Sequence, residues 1–278
     1  MAATNRLIGT NALSRVNPWT PAGALATLVY VTFIGLPVLA LLVRTGQQEG
    51  LLDSLTSGLT VQALQLSLIT STISLAITVT LGTPFAYLLA RSNYTVLKAV
   101  DSLVELPLVL PPVVAGVAML MAFGRQGIIG PALTSLGVSI PFTTTAVLFA
   151  QIFVGAPFYI RAAKLGFQSV ATDYEDISQT LGVSPWRTFW RTTLPLASPS
   201  ILSGLTLAWA RSISEFGATL MFAGNLTGRT QTMPLAIMTA MESDLGTALS
   251  LSVLLLVGAL VVLVVLGLFT RPQWQGKL

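Results

Sequence analysis

The chain has 278 residues, 53% of them hydrophobic and 9% charged, with a mean hydropathy of +0.80; soluble domains carry roughly a quarter charged residues, so a water-soluble globular protein is excluded. It contains no cysteine and no histidine, which removes thiolate nucleophiles, disulfides, imidazole bases and the usual zinc ligands, leaving no metal site to expect. The net charge of +4 is scattered between apolar runs rather than gathered into a stripe, which points away from nucleic acid and makes the basic residues topology signals.

The first twenty residues, including Arg6, Arg15, Pro18 and Trp19, are polar and lead into an apolar stretch of signal-anchor length ending at Arg44. A short apolar region with an obvious cleavage site is lacking, so no cleaved signal peptide is expected. Crossing a bilayer takes about 20 residues at 1.5 Å each. Six stretches meet that length: Ala22 to Val43, Val61 to Ala90, Leu103 to Phe123, Phe142 to Ile160, Ser200 to Phe222 and Thr247 to Thr270. The expected fold is an all-α integral membrane protein of about six transmembrane helices, a single domain over residues 1–278 with an N-terminal tail at 1–21. With the N-terminus inside, ten basic residues lie on the inner side (Arg6, Arg15, Arg91, Lys98, Arg161, Lys164, Arg187, Arg191, Arg271 and Lys277) and three outside (Arg44, Arg125 and Arg229). The positive-inside rule therefore predicts that both termini are cytoplasmic.

The third span opens Asp101-Ser102-Leu103-Val104-Glu105-Leu106-Pro107-Leu108-Val109-Leu110-Pro111-Pro112. Each proline removes a backbone donor and clashes one turn back, so a straight helix is excluded. Carbonyls freed at membrane depth are tolerated where they are buried in protein or face a water-filled cavity. Pro107, Pro111 and Pro112 are thus candidates for the wall of a translocation path, although a kink that only shapes packing fits as well. Gly124, Gly127 and Gly130 follow no strand, so they read as a turn and not a nucleotide fingerprint.

Between the fourth and fifth spans lies the largest inward-facing loop, residues 171–199. Thr172 followed by Glu175 predicts a capping box, and Asp173 and Asp176 suit the positive end of a helix dipole. Gly182 supplies a left-handed stop. Ser184-Pro185 restarts a helix, and Leu194-Pro195 is expected to end it. That second helix carries Trp186, Phe189 and Trp190 on one face beside Arg187 and Arg191. Two readings fit: an amphipathic pair lying on the inner bilayer surface, or an elbow that docks a soluble partner.

In the fifth span, Arg211 and Glu215 stand four residues apart on one helical face, a spacing that allows them to satisfy each other inside the membrane. Glu215 and Gly217 remain candidates for the path. Beyond them the outer segment Ala223-Gly224-Asn225-Leu226-Thr227-Gly228-Arg229-Thr230-Gln231-Thr232-Met233-Pro234 is rich in hydroxyl, amide and guanidinium donors. Such donors suit a tetrahedral oxyanion or a protein rim, docking of a soluble protein being the commoner use, and Asn225 is a further candidate for the path.

The 171–199 loop resembles the cytoplasmic EAA loop of ABC importer permeases, whose pattern is Glu-Ala-Ala, three residues, Gly, nine residues, an aliphatic, any residue, Leu-Pro. Asp176-Ile177-Ser178 stands at Glu-Ala-Ala, Gly182 at the glycine, Thr192 at the aliphatic position and Leu194-Pro195 at the end. Spacing is kept; Asp176, Ile177, Ser178 and Thr192 depart in residue type. The resemblance implies a type I ABC importer permease fold, in which Glu175, Asp176, Ile177, Ser178, Gly182, Leu194 and Pro195 couple to an ATPase. From Leu64 to Leu266, the runs Leu106 to Gly116, Phe123 to Gly127, Glu215 to Thr219 and Gly228 to Ile237 are similar to molybdate or tungstate permeases, with sulfate/thiosulfate permeases as near neighbours. This implies two ATPase copies, a periplasmic or lipid-anchored oxyanion-binding protein, a second permease copy, surrounding membrane lipid and residence in a prokaryotic inner membrane. No Gly-x-x-x-x-Gly-Lys-Ser/Thr loop is present, so no cofactor is expected in this chain, and ATP with its Mg would be bound by the partner. No catalytic residue is assigned. A membrane channel or sensor module is the rival from another class.

Overall fold

The computed structural model describes residues 21–48 and 51–269. The expectations for Arg6, Arg15, Arg271, Lys277 and the ends of the chain lie outside the described residues. All regular structure among the described residues is helical.

Helix α1, Pro21–Gly46, forms a unit of its own. It is apolar all round, with Leu25, Val29, Phe33 and Leu36 exposed. A helix with no polar stripe suits a membrane environment.

The second unit begins with the short α2, Leu51–Thr56, and then α3, Gly58–Arg91, whose first turn is capped by the Ser57 hydroxyl accepting from the Thr60 amide. The third predicted span is two helices: α4, Thr95–Val109, and α5, Pro112–Phe123. The break falls at Leu110-Pro111, where the prolines place it. Pro107 is accommodated inside α4. After a short α6, Gly130–Ser135, α7 runs Thr144–Ser169, nine residues past the predicted end. The excess carries Arg161 and Lys164 beyond the apolar stretch, where they pair with Glu105 (3.8 Å) and Asp101 (2.5 Å) of α4.

Helix α8 is Thr172–Thr180 and α9 is Pro185–Thr188; a π turn at Phe189–Thr193 leads without interruption into α10, Leu194–Ile213. Leu194-Pro195 therefore does not end the second loop helix, as expected from sequence, but opens α10. Proline is tolerated in a first turn, and the wider preceding turn, in which the Leu194 amide bonds the Phe189 carbonyl, gives the ring room. The fifth predicted span is likewise divided, into α10 and α11, Gly217–Ala223. Helix α12, Met233–Ser243, falls in what the sequence suggests is outer loop, and α13, Leu245–Phe269, is the last apolar helix. Helices α1, α3, α7 and α13 are long and apolar enough to cross a membrane.

Helix α7 is the hub, packed along both α3 and α10. Close approach there depends on residues without bulk: a Cβ on Gly204 of α10 would lie 2.6 Å from the Ala162 Cβ, and one on Gly166 of α7 2.7 Å from the Ser200 Cβ. Small residues supply what hydrophobic burial cannot when lipid is as apolar as the core. Toward the end of α3 that carries Arg91, the cluster is Ala86, Tyr159, Ala163, Phe167 and Ala197; a second joins α5, α7 and α11 through Met119, Val147 and Phe222. Buried polar bonds add to these apolar contacts. The Ser74 hydroxyl donates to Gln151 Oε1 (3.0 Å), the Ser212 hydroxyl to the Gln151 carbonyl (3.2 Å), and Ser67 accepts from the Met233 amide (2.7 Å). Each bond ties together helices distant in sequence.

Candidate functional site

The 171–199 loop is built around one carboxylate. Glu175 Oε1 receives Arg91 Nη2 at 2.6 Å, Arg91 Nε at 3.1 Å and the Thr193 hydroxyl at 2.9 Å, while the Tyr87 hydroxyl donates to Oε2 at 3.2 Å. Arg91 also donates to the Val170 carbonyl (3.1 Å). The C-terminal end of α3, the end of α7, α8 and the π turn are thereby locked at one point. Both partners are largely withdrawn from solvent, with side chains 12% and 18% exposed. The expected capping box is not formed: Ala171 is the N-cap residue and α8 begins without a side-chain cap. Arg91 is the reason, since a guanidinium offers the carboxylate a charged, two-point partner in place of a backbone amide.

Gly182 adopts φ +78°. The Gly182 amide donates to the Gln179 carbonyl (2.9 Å) and the Val183 amide to the Ser178 carbonyl (3.1 Å), the paired bonds of a Schellman ending. Pro185 occupies the first turn of α9 as predicted, but the Ser184 hydroxyl makes no cap bond. Ser178 joins the two halves of the elbow through its hydroxyl and that of Thr188 (2.8 Å). Phe189 packs inward on Tyr87 and Phe167, with ring centroids 5.1 and 5.9 Å away.

What the elbow leaves outside is specific. On α8, Tyr174, Ile177 and Leu181 are exposed, the last two at 59% and 76%, and spacings of three and four place them on one face. Asp176 is exposed, whereas Leu194 is half-buried against the core cluster that includes Phe167 and Ala197.

Among the candidate path residues, the structure brings Pro112 and Gly217 together: a Cβ on Gly217 would lie 2.8 Å from that of Pro112. Pro111 and Pro112 are exposed at the α4–α5 break, and Pro107 is half-buried. Glu215 lies in the α10–α11 break, its side chain fully buried; Oε2 pairs with Arg211 Nη2 at 2.6 Å and Oε1 accepts the Ala218 amide at 2.8 Å. It thus neutralises Arg211 and starts α11. Asn225 belongs to another cluster, donating to the Thr239 hydroxyl at 2.8 Å. Four buried side-chain oxygens make no hydrogen bond among the described residues: Thr219 Oγ1, Thr232 Oγ1, Asn225 Oδ1 and Glu215 Oε2, the last held by its ion pair with Arg211. Such groups call for water or a passing polar ligand.

Sequence reasoning missed Arg91, Tyr87 and Thr193 as loop anchors. The available signal was a lone arginine ending a long apolar helix, next in space to an acidic loop; as a topology marker it was given no partner.

A family model for binding-protein-dependent transport system inner membrane components matches residues 82–272. The molybdenum transport system permease protein ModB of Mycobacterium tuberculosis is 42% identical over 253 residues, covering 91% of this chain and 94% of its own. The sulfate transport system permease protein CysW of Synechococcus elongatus is 36% identical over 199 residues, 72% of this chain and 69% of its own. Among solved structures, a bacterial alginate ABC transporter in complex with an alginate pentasaccharide-bound periplasmic protein contains a chain that superposes with a TM-score of 0.75 at 18% identity, covering 92% of this chain and 95% of that one. At that identity the likeness is one of fold. With a family model matched over most of its length and close relatives across nine-tenths of it, the chain belongs to the family of binding-protein-dependent transport system inner membrane components.

Proposed function

We propose that this chain is the permease subunit of an ATP-driven importer that moves an oxyanion, molybdate or tungstate, across a prokaryotic cytoplasmic membrane by alternating access. The whole chain acts as one permease domain, with both termini and the 171–199 loop in the cytoplasm. Two copies surround a central path, an oxyanion-binding protein docks outside, and two ATPase subunits, which bind ATP and Mg, hold the loops. The permease itself carries out no covalent chemistry.

The observation that carries the coupling role is the exposed Tyr174, Ile177 and Leu181 face of α8, standing on a base fixed by Glu175 and Arg91. An apolar edge raised on a rigid elbow fits a groove on a protein partner, and the latch makes any push on α8 a push on α3. Asp176, Ile177, Ser178 and Gly182 contribute the docked surface and its turn; Leu194 and Pro195 pass the movement to α10. The path is assigned to the two helix breaks, with Pro107, Pro111, Pro112, Glu215, Gly217 and Asn225 about it. Unpartnered hydroxyls and an amide oxygen support a hydrated route. Sulfate is the second reading, favoured by the 36% identity to a sulfate permease.

The test is co-purification. An Ile177→Asp/Leu181→Asp variant changes only exposed positions and is expected to stay in the membrane but lose its ATPase subunit. Full retention of the ATPase by this variant, and by deletion of Asp173 to Leu181, would sink the coupling assignment.

A further inference from the structure

Two buried bonds fix a level inside the membrane. The Ser74 hydroxyl donates to Gln151 Oε1 and the Ser212 hydroxyl to the Gln151 carbonyl, so these three residues share one height. Ser74 is the midpoint of α3, and Gln151 is the midpoint of the apolar part of α7, residues 144–160. Both helices are of spanning length. The shared level is therefore close to the bilayer centre, and Arg211, the residue before Ser212, is about 1.5 Å along the helix axis from it.

An arginine at that depth calls for a reason. Arg91, Arg161 and Lys164, which also pair with carboxylates, lie at or beyond the ends of their apolar stretches. Arg211 keeps 27% of its side chain exposed, while its partner Glu215 is enclosed completely. That carboxylate accepts the Ala218 amide through Oε1 and lies 2.6 Å from Arg211 Nη2 through Oε2, yet Oε2 makes no hydrogen bond. The contact cancels charge without using the donors of the guanidinium, and no other side chain among the described residues takes one. What remains accessible is the cationic half of the pair. A guanidinium turned to lipid at mid-depth is costly, so the open side calls for water or an anion. Arg211 also stands in the last turn of α10, beside the α10–α11 break, where Gly217 abuts Pro112 of the α4–α5 break. These are the two breaks to which the path is assigned above.

We propose that Arg211 is the residue of the path that binds the oxyanion, its free N–H donors receiving the oxygens of the anion while Glu215 stays as counter-ion. A guanidinium edge presents two parallel donors, which match two oxygens of a tetrahedral dianion. The counter-ion has two effects. It lets an arginine reside at the midplane when the path is empty, and it keeps the charge of the site near zero, so that the dianion is held weakly enough to leave. This inference deepens the importer reading and rests on it.

The test uses the assembled complex of permease, ATPase and oxyanion-binding protein in proteoliposomes. Arg211→Gln alone strands a buried carboxylate, so the informative variant is Arg211→Gln/Glu215→Gln, which removes both charges. It is expected to co-purify with the ATPase but to take up molybdate at least about 10-fold more slowly, whereas Arg211→Lys keeps measurable uptake. In the unaltered complex, modification of Arg211 by hydroxyphenylglyoxal, read by mass spectrometry of the permease, should be slowed by molybdate and not by chloride at equal ionic strength. That measurement needs no variant to fold and no ATP. Uptake by the neutral pair at the unaltered rate would overturn the proposal and leave Arg211 and Glu215 as a packing pair. So would an Arg211 that the reagent does not modify, or modifies equally fast with and without molybdate. An unaltered complex that takes up no molybdate would instead refute the importer reading itself.

Discussion

Removing the Glu175 carboxylate should free α8 from the rest of the molecule. Glu175→Ala deletes an acceptor of four hydrogen bonds from three residues and strands the Arg91 guanidinium. Breaking a fully buried pair costs roughly 3–5 kcal/mol, whereas exposed pairs are worth about 0–1 kcal/mol. With 12% and 18% exposure the pair sits toward the buried limit, at about 3 kcal/mol after allowing for remaining access to water. At 1.36 kcal/mol per decade, the population with α8 detached should rise on the order of 100-fold. Glu175→Gln keeps size and acceptor but loses charge, and should raise it about 10-fold. Hydrogen exchange over 172–181 reads this directly, because local opening sets the exchange of a short helix. The amides in the middle of α3 and α7 serve as internal controls. If α8 exchanges no faster in either variant than in the unaltered protein, Glu175 is not the anchor.

Gly182→Val places a β-branched residue at φ +78° where no neighbour lies within 4 Å; the cost is conformational, about 1–2 kcal/mol, and should show as a lowered melting temperature, with Gly182→Asn milder. Gly204→Val meets Ala162 and the Tyr159 carbonyl, whereas Gly258→Val meets nothing within 4 Å; the first should sharply reduce folded yield in detergent and the second leave it unchanged. At the start of α13, hydrogen bonds from the Thr247 hydroxyl and amide and the Gly246 amide hold the Asp244 carboxyl below its ordinary value. A depressed folded value means the contribution is present above the unfolded carboxylate value, about 3.9, and lost as pH falls through the lower folded value. Exchange at the first turn of α13 should therefore quicken on acidification, a step that Asp244→Asn should lack.

Features that depend on a run of residues were legible in the sequence. Apolar length located α1, α3, α7 and α13 to within a few residues at most ends, and the proline cluster located the α4–α5 break. The Gly182 turn was legible because only the backbone decides it. The α10–α11 break was not, although Arg211 and Glu215 interrupt the run, because their spacing of four also suits an unbroken helix. Helix α12, 11 residues long, is too short to register as a span. At Thr172 and Glu175 the local rule pointed to a capping box, but a partner 84 positions earlier in the chain claimed the carboxylate. Leu194-Pro195 illustrates the same limit: the proline opens a helix or closes one depending on the turn before it, which tertiary packing sets.

Uptake of labelled molybdate into proteoliposomes holding the permease, its ATPase subunit and the oxyanion-binding protein tests the central claim most directly. Accumulation should require ATP and all three components, fall when tungstate is added, resist sulfate, and vanish with Ile177→Asp/Leu181→Asp. Accumulation by the permease alone, without ATP or partners, would contradict the account.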